Sequence, residues 1–490
     1  MGEHQVKRHF TAILFPFRFA AQQLETEAFN APFIRKNGKE TQRWQPDKMQ
    51  AYHLKENVAA MLGVGEEKGG AGQVWCFNDS LRREMDIPEE RTAISFTYRG
   101  ATEPAEIHLE SMRLALFTTG VGFLEISVRC QSSAEVIQDV NYFLSEVKSD
   151  DNRLSFEKKL GRDESVTVEL TMLELVEKLL APLGEVEDFD HRHGLHYVDN
   201  KPLVFSYVLM EKFDKEFGKL LFGLRTNFKA TYQVPAEDYE LHHAQGVLHP
   251  FENVYWGASL NSAVCCAAMT DNAKTNEFFM NTFPANLRQT YLTLYLLRQH
   301  QRYAIQDLQY RFGGVDRGLE SGDADAVKSA YRAVQDLLDD SIAFKLKCMF
   351  RNPSSVEHIN QVDAFLADTL GVRSDLKDLE DGVRQLEAVA GEIHGKIKER
   401  EERKKKMEAL RKEGLICLLA AIWGCVAFFQ ESWEVVEKIT GWSINFRSWL
   451  VIIPLVIAAF PLVKLIDEMR TRRKELREME KEFGKKGEKQ

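Results

Sequence analysis

The sequence predicts an α/β (α+β) cytosolic domain, a long helical stalk and a two-helix transmembrane hairpin, divided as residues 1–283, 284–413 and 414–466, with a basic cytosolic tail over 467–490. Three observations predict it. Short apolar runs punctuated by turn signals fill the first third of the chain. An apolar seam at alternating spacings of three and four runs from Leu376 to Ile397. Two apolar stretches, Leu415 to Phe429 and Trp449 to Ile466, follow that seam.

In the first third, His9 to Phe19 is a continuous apolar run suited to a buried strand, and Arg91 to Tyr98 alternates in a short strand pattern. Ile107 to Phe117 and Phe123 to Arg129 flank Thr118-Thr119-Gly120-Val121-Gly122, a hairpin in which two glycines can supply positive φ. Ser133 to Glu146 follows as a helix with apolar Val136, Ile137, Val140 and Phe143, and Lys201 to Met210 restores a strand. Strand, hairpin and helix together suggest a sheet covered by helices.

From about Pro284 onward the pattern becomes helical: Leu287 to Arg311, with Leu292, Tyr295, Leu296, Tyr303 and Ile305 on its apolar stripe, then Ala324 to Met349 and Val356 to Leu370. The seam itself, Leu376, Leu379, Val383, Leu386, Ala390, Ile393 and Ile397, reads as the heptad repeat of a coiled coil. Gly382, Gly391 and Gly395 weaken it by about 1 kcal/mol each relative to alanine, so packing against neighbours must hold it.

The first apolar stretch, taken from Gly414 to Gln430, is 17 residues. At about 1.5 Å per residue it reaches roughly 25 Å, just within range of a hydrocarbon core about 30 Å thick. Trp433, Trp442 and Trp449 suit interfacial anchors; Pro454 and Pro461 interrupt the second stretch, and Lys464 is near enough to its end to snorkel. Basic residues crowd both flanks, while the linking loop offers only Lys438 and Arg447, which predicts an inner-membrane, multi-pass protein in contact with lipid and with both termini cytoplasmic. Met1 to Phe10 lacks the apolar core of a signal peptide. The seven cysteines form no CxxC pair and read as reduced thiols. With the basic residues gathered near the hairpin, the first 370 or so residues are acidic, within a formal net charge of −10, which argues against duplex nucleic acid as a partner.

Carried forward, the heptad frame places Arg400, Lys404 and Arg411 as a basic neck, then Leu418, Ala421, Cys425, Phe428 and Ser432 as a pore lining apolar enough to gate by dewetting. Gly424, Gln430 and Glu431 are the candidates for selectivity. In this order of elements the chain resembles the CorA family of divalent-cation channels. The resemblance implies a homopentamer whose first membrane helix lines the pore, with a divalent cation, magnesium, as transported or regulatory ion. The family's Gly-Met-Asn signature is absent, and Ile422-Trp423-Gly424-Cys425-Val426 is its nearest local echo. Leu114 to Ile126 and Tyr295 to Tyr303 also resemble the divergent CorA-like membrane effectors associated with type III CRISPR systems. That resemblance implies antiviral defence and a cytosolic domain that senses a nucleotide second messenger.

Enzyme chemistry has no constellation behind it. Gly63 to Gly72 is glycine-rich but no Gly-Lys-Ser/Thr closes it. His191, His193 and His196 with Asp188 and Asp190, and separately His242, His243 and His249, lack the spacing of a zinc motif. Arg298, His300 and Arg302 sit beside aromatics and have the chemistry to bind phosphate, or equally to face the stalk. The expected function is a homo-oligomeric ion channel or transporter gated by its cytosolic domain; the alternative is a membrane-anchored sensor or scaffold without a pore.

Overall fold

The run His9 to Phe19 falls in the middle of a large sheet. The computed structural model describes residues 4–47, 53–63, 70–147, 149–159, 164–189, 194–197, 201–232, 236, 240–241, 245–319 and 324–440. The chain begins β1 (Val6–Arg18), α1 (Gln22–Glu25), β2 (Phe33–Ile34), β3 (Glu40–Thr41), β4 (Trp44–Pro46), α2 (Glu56–Ala59), β5 (Gly72–Phe77) and β6 (Ile94–Thr97). The predicted hairpin follows as β7 (Ala105–Phe117) and β8 (Val121–Cys130), then α3 (Ala134–Ser145), β9 (Arg153–Lys159), β10 (Ser165–Leu170) and α4 (Met172–Leu180). Next come β11 (Leu203–Met210), α5 (Phe217–Thr226), β12 (Val247–Phe251), β13 (Val254–Ala258) and β14 (Ser262–Ala268). The helical part comprises α6 (Ala273–Glu277), α7 (Phe283–Asn286), α8 (Leu292–Leu319), α9 (Ala324–Cys348), α10 (Glu357–Thr369) and α11 (Val372–Thr440).

The main sheet runs β10-β9-β6-β7-β8-β1-β11-β14-β13-β12, antiparallel throughout except that β11 and β14 are parallel. β7 is long enough to hold two neighbours on one edge: its N-terminal half pairs with β6 and its C-terminal half with β5, which in turn carries β4. Because consecutive strand residues face opposite sides, β1 divides its apolar run between two cores. Ile13, Phe15 and Phe17 join the core that includes residues of α3, α4 and α5, while Phe10, Ala12 and Leu14 join the core with α8, α10 and the start of α11. A strand buried on both faces is apolar at nearly every position, which is why this run does not alternate; buried Thr11 is satisfied by donating to Asn141.

At the hairpin, Gly120 supplies the positive φ, +80°, whereas Gly122 serves a different need. A Cβ on Gly122 would lie 2.4 Å from the Phe17 ring, so the missing side chain is what lets β8 and β1 approach. Ser133 caps α3 by accepting from the Val136 N–H, and Thr171 with Glu174 forms a capping box on α4.

The chain forms two compact units, Met1–Ala390 and Gly391–Gln490. The heptad seam belongs largely to the first. Leu379 is buried in that unit's second core, and Leu376, Val383, Leu386 and Ala390 pack against it, while a Cβ on Gly382 would touch Phe312 of α8. The apolar stripe therefore packs in part against its own domain, with Leu379 buried and the other four half-buried.

The predicted transmembrane hairpin is corrected. Among the described residues no helix is long and apolar enough to cross a membrane. The apolar run Leu415 to Phe429 lies inside α11, preceded by the charged stretch Arg400 to Glu413 and followed by Glu431, Glu434 and Glu437. Its 15 residues give about 22 Å of helix against the roughly 30 Å that a span requires. The inner-membrane, multi-pass placement rested on that hairpin and is corrected with it. The second stretch, Trp449 to Ile466, and the basic tail lie outside the described residues.

Candidate functional site: an aromatic cavity at one end of the sheet

Register brings several strand ends together. Val6 of β1 pairs with Met210 of β11, Met210 with Ala268 of β14, and Ala267 with Val254 of β13, so these residues share one end of the sheet. The carboxyl ends of the parallel pair β11 and β14 open there, the position at which α/β sheets commonly receive ligands. The β12–β13 turn and the segment after β14 enclose a cavity of about 360 Å³ at this end. Its wall is mostly aromatic: Phe251, Trp256, Phe278, Phe279, Phe283 and Tyr291, with His358 of α10 and the polar groups of Asn253 and Thr275.

Two π-helical turns, Phe278–Thr282 and Leu287–Tyr291, supply three of those rings and bracket α7, which supplies Phe283. Pro284 accounts for where the first of them ends. In the first π turn the Phe283 N–H bonds to the Phe278 carbonyl, and the next bond of that series would run from residue 284 to the Phe279 carbonyl. Proline has no N–H to give. The hydroxyl of Tyr207, on β11, donates to that carbonyl instead at 2.9 Å. Widened turns of this kind occur frequently at functional sites because they re-aim side chains that a regular helix would bury. Here they set Phe278 and Phe283 in a stack 5.5 Å apart, with Tyr291 5.0 Å from Trp256.

His358 stands edge-on to Phe251, with ring centroids 5.4 Å apart. Burial, and then the nearby His53, lower its pKa from the ordinary value, so the imidazole is neutral at pH 7 and has one donor and one acceptor to offer. The cavity thus combines stacking faces with a few polar groups, in the size range of small-ligand pockets. None of these residues was singled out from the sequence as a site. The available signal was the aromatic density of Phe278-Phe279 and Phe283-Pro284 together with a proline inside a helical stretch.

The residues that were singled out lie elsewhere. Arg400, Lys404, Arg411, Ala421, Gly424 and Phe428 are exposed on α11 and Leu418 is half-buried. Cys425, Gln430, Glu431 and Ser432 belong to the same helix, but their side chains lie outside the described residues. Among the described residues no group of three or more His, Cys, Asp or Glu could hold a metal ion. His191, His193, Asp190, His242 and His243 fall outside that set, as does most of the loop from Gly63 to Gly72.

Arg298, His300 and Arg302 are buried and hold the fold together internally. Arg298 makes a bidentate pair with Asp363 at 2.8 and 2.6 Å; Arg302 donates to the Leu260 carbonyl; His300 stacks on Phe117 at 3.7 Å and hydrogen-bonds Thr119. Their chemistry is used up in joining α8 to α10 and to the sheet.

No protein-family model and no curated protein matches the chain. Among solved structures, the full-length CmaX protein is similar over 56% of this chain and 93% of that chain, at 11% identity and a TM-score of 0.13, which is too low to fix the fold.

Proposed function

We propose that this protein is a ligand-responsive sensor that takes a planar heteroaromatic group, such as the base of a nucleotide signal, into the aromatic cavity. The observation that carries the reading is the ring of aromatic side chains held open by two π-helical turns, with neutral His358 among them to read a hydrogen-bonding edge. The reading is a sensor without a pore, since the channel expectation depended on the corrected hairpin.

The test is calorimetric titration of the full chain with adenosine and other nucleosides. Phe278 is 40% exposed, so Phe278→Ala should leave the fold intact. Phe278→Ala and His358→Ala are each expected to weaken binding about tenfold, near the loss of one stacking or hydrogen-bonding contact. Equal affinity in the variants would sink the proposal.

Self-association belongs to the same proposal. In the second unit Leu415, Ile416, Leu419 and Trp423 are all more than half exposed on α11, a run of apolar surface that a partner chain would cover. Trp423→Glu is expected to lower the mass of the native assembly, read by light scattering; a monomeric parent protein would refute this part.

A further inference from the structure

A second cavity, of about 480 Å³, opens at the same end of the sheet on β1 and β8. β1 pairs Val6 with Met210 and Arg8 with Leu209, leaving Lys7 as an extra residue, a β-bulge. A regular strand would send Lys7 and Arg8 to opposite faces. The bulge interrupts that alternation, and both residues line the cavity along with their strand neighbours Gln5, Val6 and His9. Arg129, from the end of β8, and the hydroxyl residues Ser132 and Ser133 complete the wall, and none of the described residues that line it is acidic.

The charges nearby do not cancel. Lys7 pairs with Glu211 at 3.2 Å, and Arg129 with Glu110 at 3.1 Å, but Glu110 is shared with Arg288. Arg8 is exposed, and its side chain has no hydrogen bond or ion pair with any described residue. Two further carboxylates stand at the rim, Glu106 near Cys130 and Glu135, which pairs with His4 and bonds Ser133, so the basic group left over for a ligand is Arg8. His9 also lines the cavity but is committed: its Nε2 is 2.8 Å from the Thr11 hydroxyl, and its Nδ1 accepts from the Cys130 N–H.

We propose that this cavity binds a phosphate dianion, whether free or as the monoester group of a larger ligand. Doubly charged, with several acceptor oxygens, phosphate matches a guanidinium that lacks a partner, two further basic groups and the Ser132 hydroxyl; the Ser133 hydroxyl is committed to the α3 cap and Glu135. The inference goes beyond the aromatic-cavity reading and does not rest on it, because inorganic phosphate alone tests it.

The experiment is titration of the full chain at low ionic strength with inorganic phosphate, adenosine monophosphate and adenosine, each against wild type, Arg8→Gln and Arg8→Lys. Arg8→Gln is expected to weaken phosphate at least tenfold, with partial recovery in Arg8→Lys and adenosine affinity unchanged. A monophosphate that binds more tightly than either phosphate or adenosine, with Arg8→Gln removing the gain, assigns the site to the phosphate of one larger ligand. A monophosphate no tighter than inorganic phosphate assigns it to the free ion. If phosphate does not bind, or binds Arg8→Gln as well as wild type, the proposal is overturned. If adenosine fails while phosphate binds, only the aromatic-cavity reading falls.

Discussion

Asp363→Ala is expected to destabilise the protein by about 3–5 kcal/mol, because it strips a buried guanidinium of its counter-charge. Arg298 and Asp363 are both nearly inaccessible, and the carboxylate takes two parallel hydrogen bonds from the guanidinium. The remaining donors of Arg298 are also placed: one bonds Gln301, whose amide donates in turn to the Cys348 carbonyl, and the plane lies 4.0 Å from the Phe350 ring. With Asp363 gone, none of these neutral partners replaces the lost charge. Replacing both members by apolar side chains of similar size, as in Arg298→Met with Asp363→Leu, should cost less than Asp363→Ala alone, since no charge is then left buried. Denaturant midpoints of the three proteins decide it. An unchanged midpoint in Asp363→Ala, or a double variant worse than the single, would contradict the account.

The second large effect is acid instability that begins close to neutrality. Burial holds the pKa of His9 and of His300 down to about 3. The unfolded chain takes up protons at both as pH falls below the ordinary histidine value of about 6.5, while the folded chain refuses them until near 3. Stability is therefore present above pH 6.5 and falls with pH between those limits, by roughly 1.4 kcal/mol per pH unit for each group and about 2.7 for the pair. His4 acts on the other side. Burial lowers its pKa, but hydrogen bonds and charge from Glu135 and Asp214 more than offset this and raise it overall. Its contribution is full below the unfolded value and lost as pH rises through the folded one. Urea titrations at pH 7, 6 and 5 should show the loss, and His9→Gln with His300→Asn should flatten it. A midpoint that does not move between pH 7 and 5 would rule it out.

The sequence reveals elements whose signal is local. The run at His9 to Phe19, the β7–β8 hairpin, the capped helix α3 and the helical stretch from Leu292 can all be read from periodicity and turn residues. What periodicity does not carry is the identity of the surface that covers an apolar stripe. Leu376 to Ala390 has the spacing of a chain-to-chain seam, yet it packs in part against its own domain, α8 included. Arg298 and Asp363 are 65 residues apart, so only tertiary structure shows that an arginine in the middle of an apolar stripe is neutralised. The candidate site was hidden for the same reason. Its rings come from β12, β13, two π turns, α7 and α10, and nothing local states that Tyr207 will supply the hydrogen bond Pro284 cannot.

The central place of β1 has a consequence for biosynthesis. Both of its sheet neighbours, β8 and β11, are made later, and β11 is complete only at Met210, some 190 residues after Arg18. At synthesis rates of about 5–20 residues per second, the segment Phe10 to Phe17 waits roughly 10–40 s for its second partner strand. Throughout that interval the edge that β11 will cover is open on an apolar, charge-free strand, the kind of nascent segment that chaperones hold and that aggregates when they do not.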